Sequence, residues 1–491
     1  MTMRHTVILV LVSALVLMGV VLQSKSVMIL QGPSSNMRCQ EERSSPRNTS
    51  GGNDHDSGDD ATFKSQEENS SSRNSTGGND DTGNDATFAK TITARLDWET
   101  IESSLEADDE VALMGFARQV FRLAVPFATM EPKTPINATC QAPLLVIPDE
   151  KNHTDMQFFS SSFCSPATSN VFSGQVRSTP RRVAHAIQLG FDIDTLEILL
   201  QELMDVVDKF FIVEWTMPHN QNLNPKPLLW EAVKGQDRFA FARDKVIHVI
   251  LDDIDAAYVT PGSMWSVESL QEQRRFERIM SWNEQTNFFA ADDLIGFGDT
   301  DEIPSRFNVN LLKHCEWQNN NPVDVGIWFP FGRIYQAFQT DWPVPGHPYT
   351  LGDPTYHLWG YTTINASRNR GKSPNWILGG AHFTHYGFLV YQLLKLLSCS
   401  ECGNQVKFVL STLLATVKSG TWKELEQDWS KMADQFVSRT VPLDQLDPDE
   451  RRKIVYLPWF YDCNRKRYSM WEGHPDSRIM WEGHPDSRII W

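Results

Sequence analysis

Between residues 181 and 302, short apolar runs alternate with stretches of helical period. Residues 183–187 form a brief apolar run. Residues 195–207 (TLEILLQELMDVV) carry apolar side chains at helical spacing, with the acids expected on the outer face. Lys209–Glu214 (KFFIVE) reads as a buried strand ending in a carboxylate, and residues 245–251 (KVIHVIL) read as a second strand. Residues 267–282 (VESLQEQRRFERIMSW) form a charged amphipathic helix, and residues 293–297 (DLIGF) form a strand that runs into Asp299-Thr300-Asp301-Glu302. Strands alternating with helices predict an α/β fold with a parallel sheet and right-handed crossovers. Such sheets take ligands outside the carboxyl ends of their strands. Glu214 and the acids of 299–302 fall at such ends.

The rest of the chain has a different character. The net charge of the 491 residues is −17, which excludes a nucleic-acid binder relying on a basic footprint. Residues 41–110 alone hold 18 acids against 6 bases. Residues 34–95 are rich in Ser, Asn, Gly and Asp, and bury too little apolar surface to offset their chain entropy. An imperfect duplication (residues 47–63 and 73–88) runs through this stretch without an apolar face for stacking, so it reads as a flexible tether. Residues 7–22 are an uncharged 16-residue run, about 24 Å long as a helix. No small-x-small cleavage site follows, which predicts an uncleaved signal anchor. Six Asn-x-Ser/Thr sequons (Asn48, Asn69, Asn74, Asn137, Asn152 and Asn365) all lie C-terminal to the run and favour a luminal body.

The expected organisation is therefore a cytosolic tail (1–6), a transmembrane signal anchor (7–22), a disordered acidic stem (23–95), a partly ordered luminal region (96–180), the main domain (181–468) and a tail (469–491). The tail repeats MWEGHPDSRI without change at 470–479 and 480–489, which reads as a recent repeat expansion or a gene-model artefact rather than a functional unit. Seven cysteines in a luminal compartment make disulfides plausible, and the odd count leaves at least one thiol over. Cys399 and Cys402 have no second pair to complete a zinc site, so a structural disulfide or apolar packing is expected there.

The sharpest chemical feature is Asp299-Thr300-Asp301-Glu302 after the apolar strand. In an extended segment residues i and i+2 share a face, so Asp299 and Asp301 would converge on one ligand. Hard oxygen donors suit Mg²⁺ or Mn²⁺ held by one or two carboxylates together with substrate phosphates. A metal so placed neutralises a diphosphate as it leaves, as transfer from a nucleotide sugar requires.

The segment 292–305 resembles the Asp-Asp…Asp-x-Asp-Glu-Ile-Pro signature of glycosyltransferase family 17. Residues 191–214 resemble that family's opening block. Pro225-Lys226-Pro227-Leu228, residues 245–251 and Glu272-Gln273-Arg274-Arg275 occur in the family's order. Gly380-Ala381-His382 resembles a later Gly-Trp-His segment and Tyr456-Leu457-Pro458 a closing one. The resemblance covers roughly 181–468. Leu199 stands where the family has Arg, and residues 381–387 lack both cysteines of the family's Trp-His-Cys-Ser-x-Cys-Phe.

The resemblance implies a Rossmann-like domain of the GT-A type and an inverting transfer of N-acetylglucosamine from UDP-GlcNAc to a mannose of a glycoprotein N-glycan. It also implies a single-pass type II protein of the Golgi membrane. Metal ligands would be Asp299 and Asp301, with Asp299 also at the donor, Arg274 and Arg275 clamping its diphosphate and Glu214, at its strand end, reaching the nucleoside. Inversion needs a general base beside the acceptor hydroxyl, for which Glu302, Asp324, Asp353 and His382 are candidates, Glu302 and His382 foremost. Another donor or glycan acceptor, or a non-catalytic lectin-like protein, stays open. The aromatic residues Trp328, Trp342 and Trp359 read as core before acceptor platform.

Overall fold

The structure is a computed structural model and describes residues 83–143, 162–167, 169–220, 222–252, 266–330, 334–368, 373–384, 389–398, 405–420 and 439–468. The 7–22 run, the first part of the stem, four of the sequons' asparagines (Asn48, Asn69, Asn74 and Asn152), Cys399, Cys402 and the duplicated tail lie outside these residues.

Three helices lead in: α1 (Gly83–Arg95), α2 (Trp98–Glu106) and α3 (Glu110–Ala124). Order thus begins inside the stretch read as stem, because Phe88 and Ile92, one turn apart, are both fully buried. Asp97 and Asp109 cap α2 and α3 by accepting backbone N–H groups of their first turns. Among the described residues, the stretch long and apolar enough to cross a membrane is Glu110–Thr129. Its face of Leu113, Ala117, Val120, Phe121 and Ala124 is packed into the core.

The remaining elements follow in order: β1 (Phe172–Val176), β2 (Val183–Gln188), α4 (Ile193–Leu203), β3 (Lys209–Glu214), α5 (Leu229–Val233), β4 (Val246–Ile250), α6 (Ser266–Thr286), β5 (Leu294–Asp299), β6 (Glu302–Pro304), α7 (Arg306–His314), β7 (Cys315–Trp317), β8 (Val323–Trp328), β9 (Gln336–Phe338), β10 (Pro343–Val344), β11 (His347–Leu358), α8 (Ile364–Arg368), β12 (Asn375–His382), α9 (Leu389–Ser398), α10 (Val406–Ser419), β13 (Thr440–Pro442), α11 (Pro448–Ile454) and α12 (Trp459–Cys463).

The main sheet runs β4-β3-β2-β5-β11-β8-β12-β6, with β10 alongside β11. Its first four strands are parallel, as the alternation predicted. The other half is mixed: β11 runs antiparallel to both β5 and β8, β12 runs parallel to β8, and β6 runs antiparallel to β12. The chain builds outward from β2 to β3 and β4, then returns to place β5 on the other side of β2. The order reverses between β2 and β5, whose last residues Gln188 and Asp299 sit in register. Close approach of β11 to β5 requires Gly296, where a Cβ would lie 2.6 Å from the Tyr356 ring.

Of the acids in the run 195–207, Asp205 is exposed, but those of α4 are not on an outer face. Asp194, Glu197 and Glu202 are all buried. Arg238 binds Asp194 at 2.8 Å, Arg467 binds Glu197 at 3.2 Å, and Glu202 accepts the backbone N–H groups of Arg306 and Trp459. Buried charge persists when paired in this way. Two disulfides brace the body: Cys140–Cys463, with Cα atoms 5.8 Å apart, and Cys164–Cys315, with Cα atoms 5.2 Å apart.

Candidate active site

A cavity of about 590 Å³ opens at the carboxyl ends of β2, β3 and β5, at the point where the strand order reverses. Asp299, Asp301, Glu302 and His382 all line it, so these sequence-derived candidates are brought together. The segment carrying the acids is not extended. Strand β5 stops at Asp299, the chain turns at Thr300 and Asp301, and β6 begins at Glu302. The turn is fixed from three sides. Thr300 Oγ1 donates to the Gln188 carbonyl (2.7 Å), Asp299 N–H donates to Glu302 Oε2 (2.7 Å), and Phe383 N–H donates to the Asp301 carbonyl (2.8 Å). Glu302 is buried and braces the Asp299 backbone.

Asp301 is buried with two basic partners on one oxygen: Lys395 Nζ at 2.6 Å and His382 Nε2 at 3.3 Å from Oδ2. Burial opposes its ionisation, but Lys395 and His382 outweigh it and hold the carboxyl well below the usual range. His382 reaches this position because β12 shifts register between Leu378 and Ala381. Gly380 permits the shift with a φ of +144°, and a Cβ there would lie 2.5 Å from the Ile303 carbonyl. On the other wall stands Asp192, at the start of α4. Its side chain does not cap that helix and it lines the cavity. Burial raises its carboxyl to about 6, with Lys395 and His382 opposing the rise and Asp301 adding to it.

Among the described residues, no group of three or more His, Cys, Asp or Glu is arranged to hold a metal ion. Asp299 and Asp301 therefore do not make a cage. Both line the cavity from one turn, a donor pair of the kind a hard cation takes beside phosphate oxygens and water, with Asp301 Oδ2 already bonded to Lys395.

Three expected residues stand differently. Glu214 lies in the cavity wall, but its carboxylate accepts from Lys226 Nζ (3.1 Å) and the N–H groups of Leu229 (2.7 Å) and Trp230 (2.9 Å), and meets His248 Nε2 at 2.9 Å. Against burial, these partners keep its pKa lowered. Its carboxylate thus holds the first turn of α5. Arg274 and Arg275 do not line the cavity. Helix α6 presents Glu268 and Gln271 there, and the two arginines follow one turn further along. Arg274 pairs with Glu277 at 2.7 Å, and Arg275 is buried over the Phe297 ring. Gln271 instead receives the Gln188 amide at 2.6 Å and meets His219 at 2.6 Å, a polar cluster in the same wall.

Asp192 and Lys395 were not among the sequence candidates. An acid four residues past the end of β2, whose last residue Gln188 stands in register with Asp299, was the available signal for Asp192. Lys395 lies 94 residues from Asp301 on an apolar helix and left no local signal.

Part of the sequence that builds this cavity has relatives among known proteins. Residues 130–322 match the family model of glycosyltransferase family 17. The chain is 30% identical over 137 residues to beta-1,4-mannosyl-glycoprotein 4-beta-N-acetylglucosaminyltransferase of Rattus norvegicus and of Homo sapiens, and 29% identical to that of Mus musculus. The alignments cover 28% of this chain, which spans about a quarter (24%) of the length of these relatives. The resemblance to family 17 read from the motifs is thus supported by both comparisons, and both support an enzyme of the glycosyltransferase kind. Asp192, Asp299, Asp301 and Glu302 fall inside the matched segment, and His382 and Lys395 fall beyond it.

Proposed function

We propose that the chain is an inverting glycosyltransferase that moves N-acetylglucosamine from UDP-GlcNAc to a mannose of a glycoprotein N-glycan in β-1,4 linkage, with Mn²⁺ or Mg²⁺ at Asp299 and Asp301. The observation that carries the reading is the Asp299/Asp301 turn at the cavity between β2 and β5, inside the segment that matches the family. The order β4-β3-β2-β5 followed by antiparallel β11 supports a GT-A type nucleotide-binding domain. Membrane anchoring through residues 7–22, with the body in the Golgi lumen, rests on the apolar run and the sequons.

A divalent cation bound with the donor supplies charge neutralisation at the departing diphosphate. The chain's own residues do the rest. Asp299 and Asp301 hold that charge in place, Lys395 and His382 orient the Asp301 carboxylate, and Glu302 fixes the backbone of Asp299. Inversion is a single displacement, so the acceptor hydroxyl loses its proton as its oxygen bonds the anomeric carbon from the face opposite the leaving UDP. Asp192 takes that proton. Its carboxyl lines the cavity without a capping duty, and its raised pKa suits a base working near neutral pH.

A second reading keeps the donor and changes the glycan acceptor. The match ends at residue 322, and residues 381–387 lack the family's two cysteines.

The test is a nucleotide-sugar screen on the purified protein with Mn²⁺ and a mannose-terminated N-glycan, the linkage being read by mass spectrometry. UDP-GlcNAc is expected to serve, chelation to stop transfer, and Asp299→Ala with Asp301→Ala to abolish it with the circular dichroism unchanged. No transfer from any donor sinks the reading, and normal transfer by the double variant removes the metal pair from it.

A further inference from the structure

The three tryptophans of the aromatic stretch separate in the structure. Trp328 is fully buried and Trp359 is 8% exposed, so both are core. Trp342 is 53% exposed and stands on the wall of the cavity that holds the carboxylates. It is the one tryptophan among the large hydrophobic residues found exposed in the described part of the chain. An indole left in water at a cavity wall forgoes the burial that such a side chain ordinarily gains.

Its backbone is nonetheless held. Trp342 N–H donates to Thr340 Oγ1 (3.2 Å), its carbonyl accepts from Gly352 N–H (3.0 Å), and Thr340 N–H donates to the Pro348 carbonyl (3.1 Å). The preceding residues carry a polar fork. Arg439 makes two bonds to Asp341, at 2.8 and 3.3 Å, donates to the Gln339 carbonyl at 2.6 Å, and lies 4.8 Å over the Phe338 ring. Asp341 and Arg439 also line the cavity. An exposed apolar ring on a bonded backbone, next in sequence to a carboxylate paired with a guanidinium, matches one ligand chemistry well. A pyranose presents an apolar C–H face to an aromatic ring and a rim of hydroxyls to charged hydrogen-bonding partners.

We propose that Trp342, with Asp341 and Arg439, forms the subsite that holds a sugar ring of the acceptor glycan in the cavity. The inference rests on the glycosyltransferase reading for its choice of ligand. It goes beyond that reading by placing the acceptor on a wall formed after residue 322, outside the segment that matches the family model. Phe329 and Phe338, in edge contact with ring centroids 5.1 Å apart, line the same cavity, and the Phe329 ring lies 4.5 Å from that of His382.

The test uses the full chain and separates binding from turnover. A free mannose-terminated N-glycan is titrated by saturation-transfer NMR into the Asp299→Ala, Asp301→Ala protein, with and without Trp342→Ala. The glycan is expected to bind, and Trp342→Ala to weaken it tenfold or more. In the active protein, Trp342→Ala should raise the acceptor KM at least tenfold while leaving the donor KM and UDP binding within twofold, and Trp342→Phe should restore part of the loss. Unchanged glycan binding in Trp342→Ala, or no glycan binding to either protein, overturns the subsite. Glycan binding that needs Trp342 in a protein without transfer from any donor would keep the subsite and remove the enzymatic reading.

Discussion

Lys395 Nζ lies 2.6 Å from Asp301 Oδ2, joining helix α9 to the turn between β5 and β6. The ammonium holds Asp301 ionised in a buried setting, with His382 on the same oxygen. Lys395→Met removes a charge-assisted bond worth about 1.5–3 kcal/mol and leaves Asp301 short of a counter-charge. Transfer should fall by about tenfold or more while the fold survives, and Lys395→Arg should recover part of it. Steady-state rates beside thermal melts check this. Equal kcat for the Met variant and the parent would mean that the pair is structural.

Asp192→Asn keeps the shape of the side chain and removes its ability to take a proton. The expected loss in kcat is about 10²–10⁴-fold, the usual size of general-base catalysis, with the donor KM little changed. A raised donor KM at unaltered kcat would instead make Asp192 a donor-binding residue.

Arg274 points to Glu277 and away from the cavity. Its replacement by Ala should leave donor affinity within about twofold, since the residue is not in the cavity lining and its partner is on its own helix. Calorimetry with UDP and Mn²⁺ measures this directly, and a tenfold weakening would restore the diphosphate clamp that the motif suggested.

His185 and His357 are buried. Burial depresses their pKa values to about 3, with Arg275 adding to the effect on His185, and to about 4, respectively. Unfolded histidine titrates near 6.5. The unfolded chain therefore gains protons below about pH 6.5 that the native state refuses, and stability falls as pH drops from there toward 4 and then 3. At pH 5 each site costs about 2 kcal/mol, from ~1.4 kcal/mol per pKa unit. Other groups titrate in the same range, so the comparison is between the parent and the His185→Gln, His357→Gln variant. The denaturation midpoint of the variant should depend less steeply on pH between 7 and 5, and parallel curves would contradict the assignment.

Local pattern carried the parallel half of the sheet well. Lys209–Glu214 was read with its observed bounds because a continuous apolar run fits a strand buried on both faces. The mixed half was not legible, since antiparallel return of β11 is decided by pairings 22 to 64 residues apart. The acids of α4 were misread for a related reason. A helical period locates an apolar stripe but not a guanidinium that arrives from elsewhere, and Arg467 meets Glu197 across 270 residues. At the site, Asp299 and Asp301 were found because they are adjacent in sequence to a recognisable strand. Lys395 was not, because its role exists only through its distance to Asp301. Arg274 and Arg275 show the converse error: a charged helix near the strand ends was found, but the side of the turn that meets the cavity was not.

Cys140 and Cys463 are 323 residues apart in sequence. Every strand and the whole cavity wall lie between them, with the second bridge, Cys164–Cys315, nested inside. Covalently, this part of the protein is a closed ring. A protease that cuts one surface loop within it linearises the ring without releasing a fragment, and the pieces remain joined until a reductant opens the bridge. Such a ring can tolerate an internal nick that would divide an open chain.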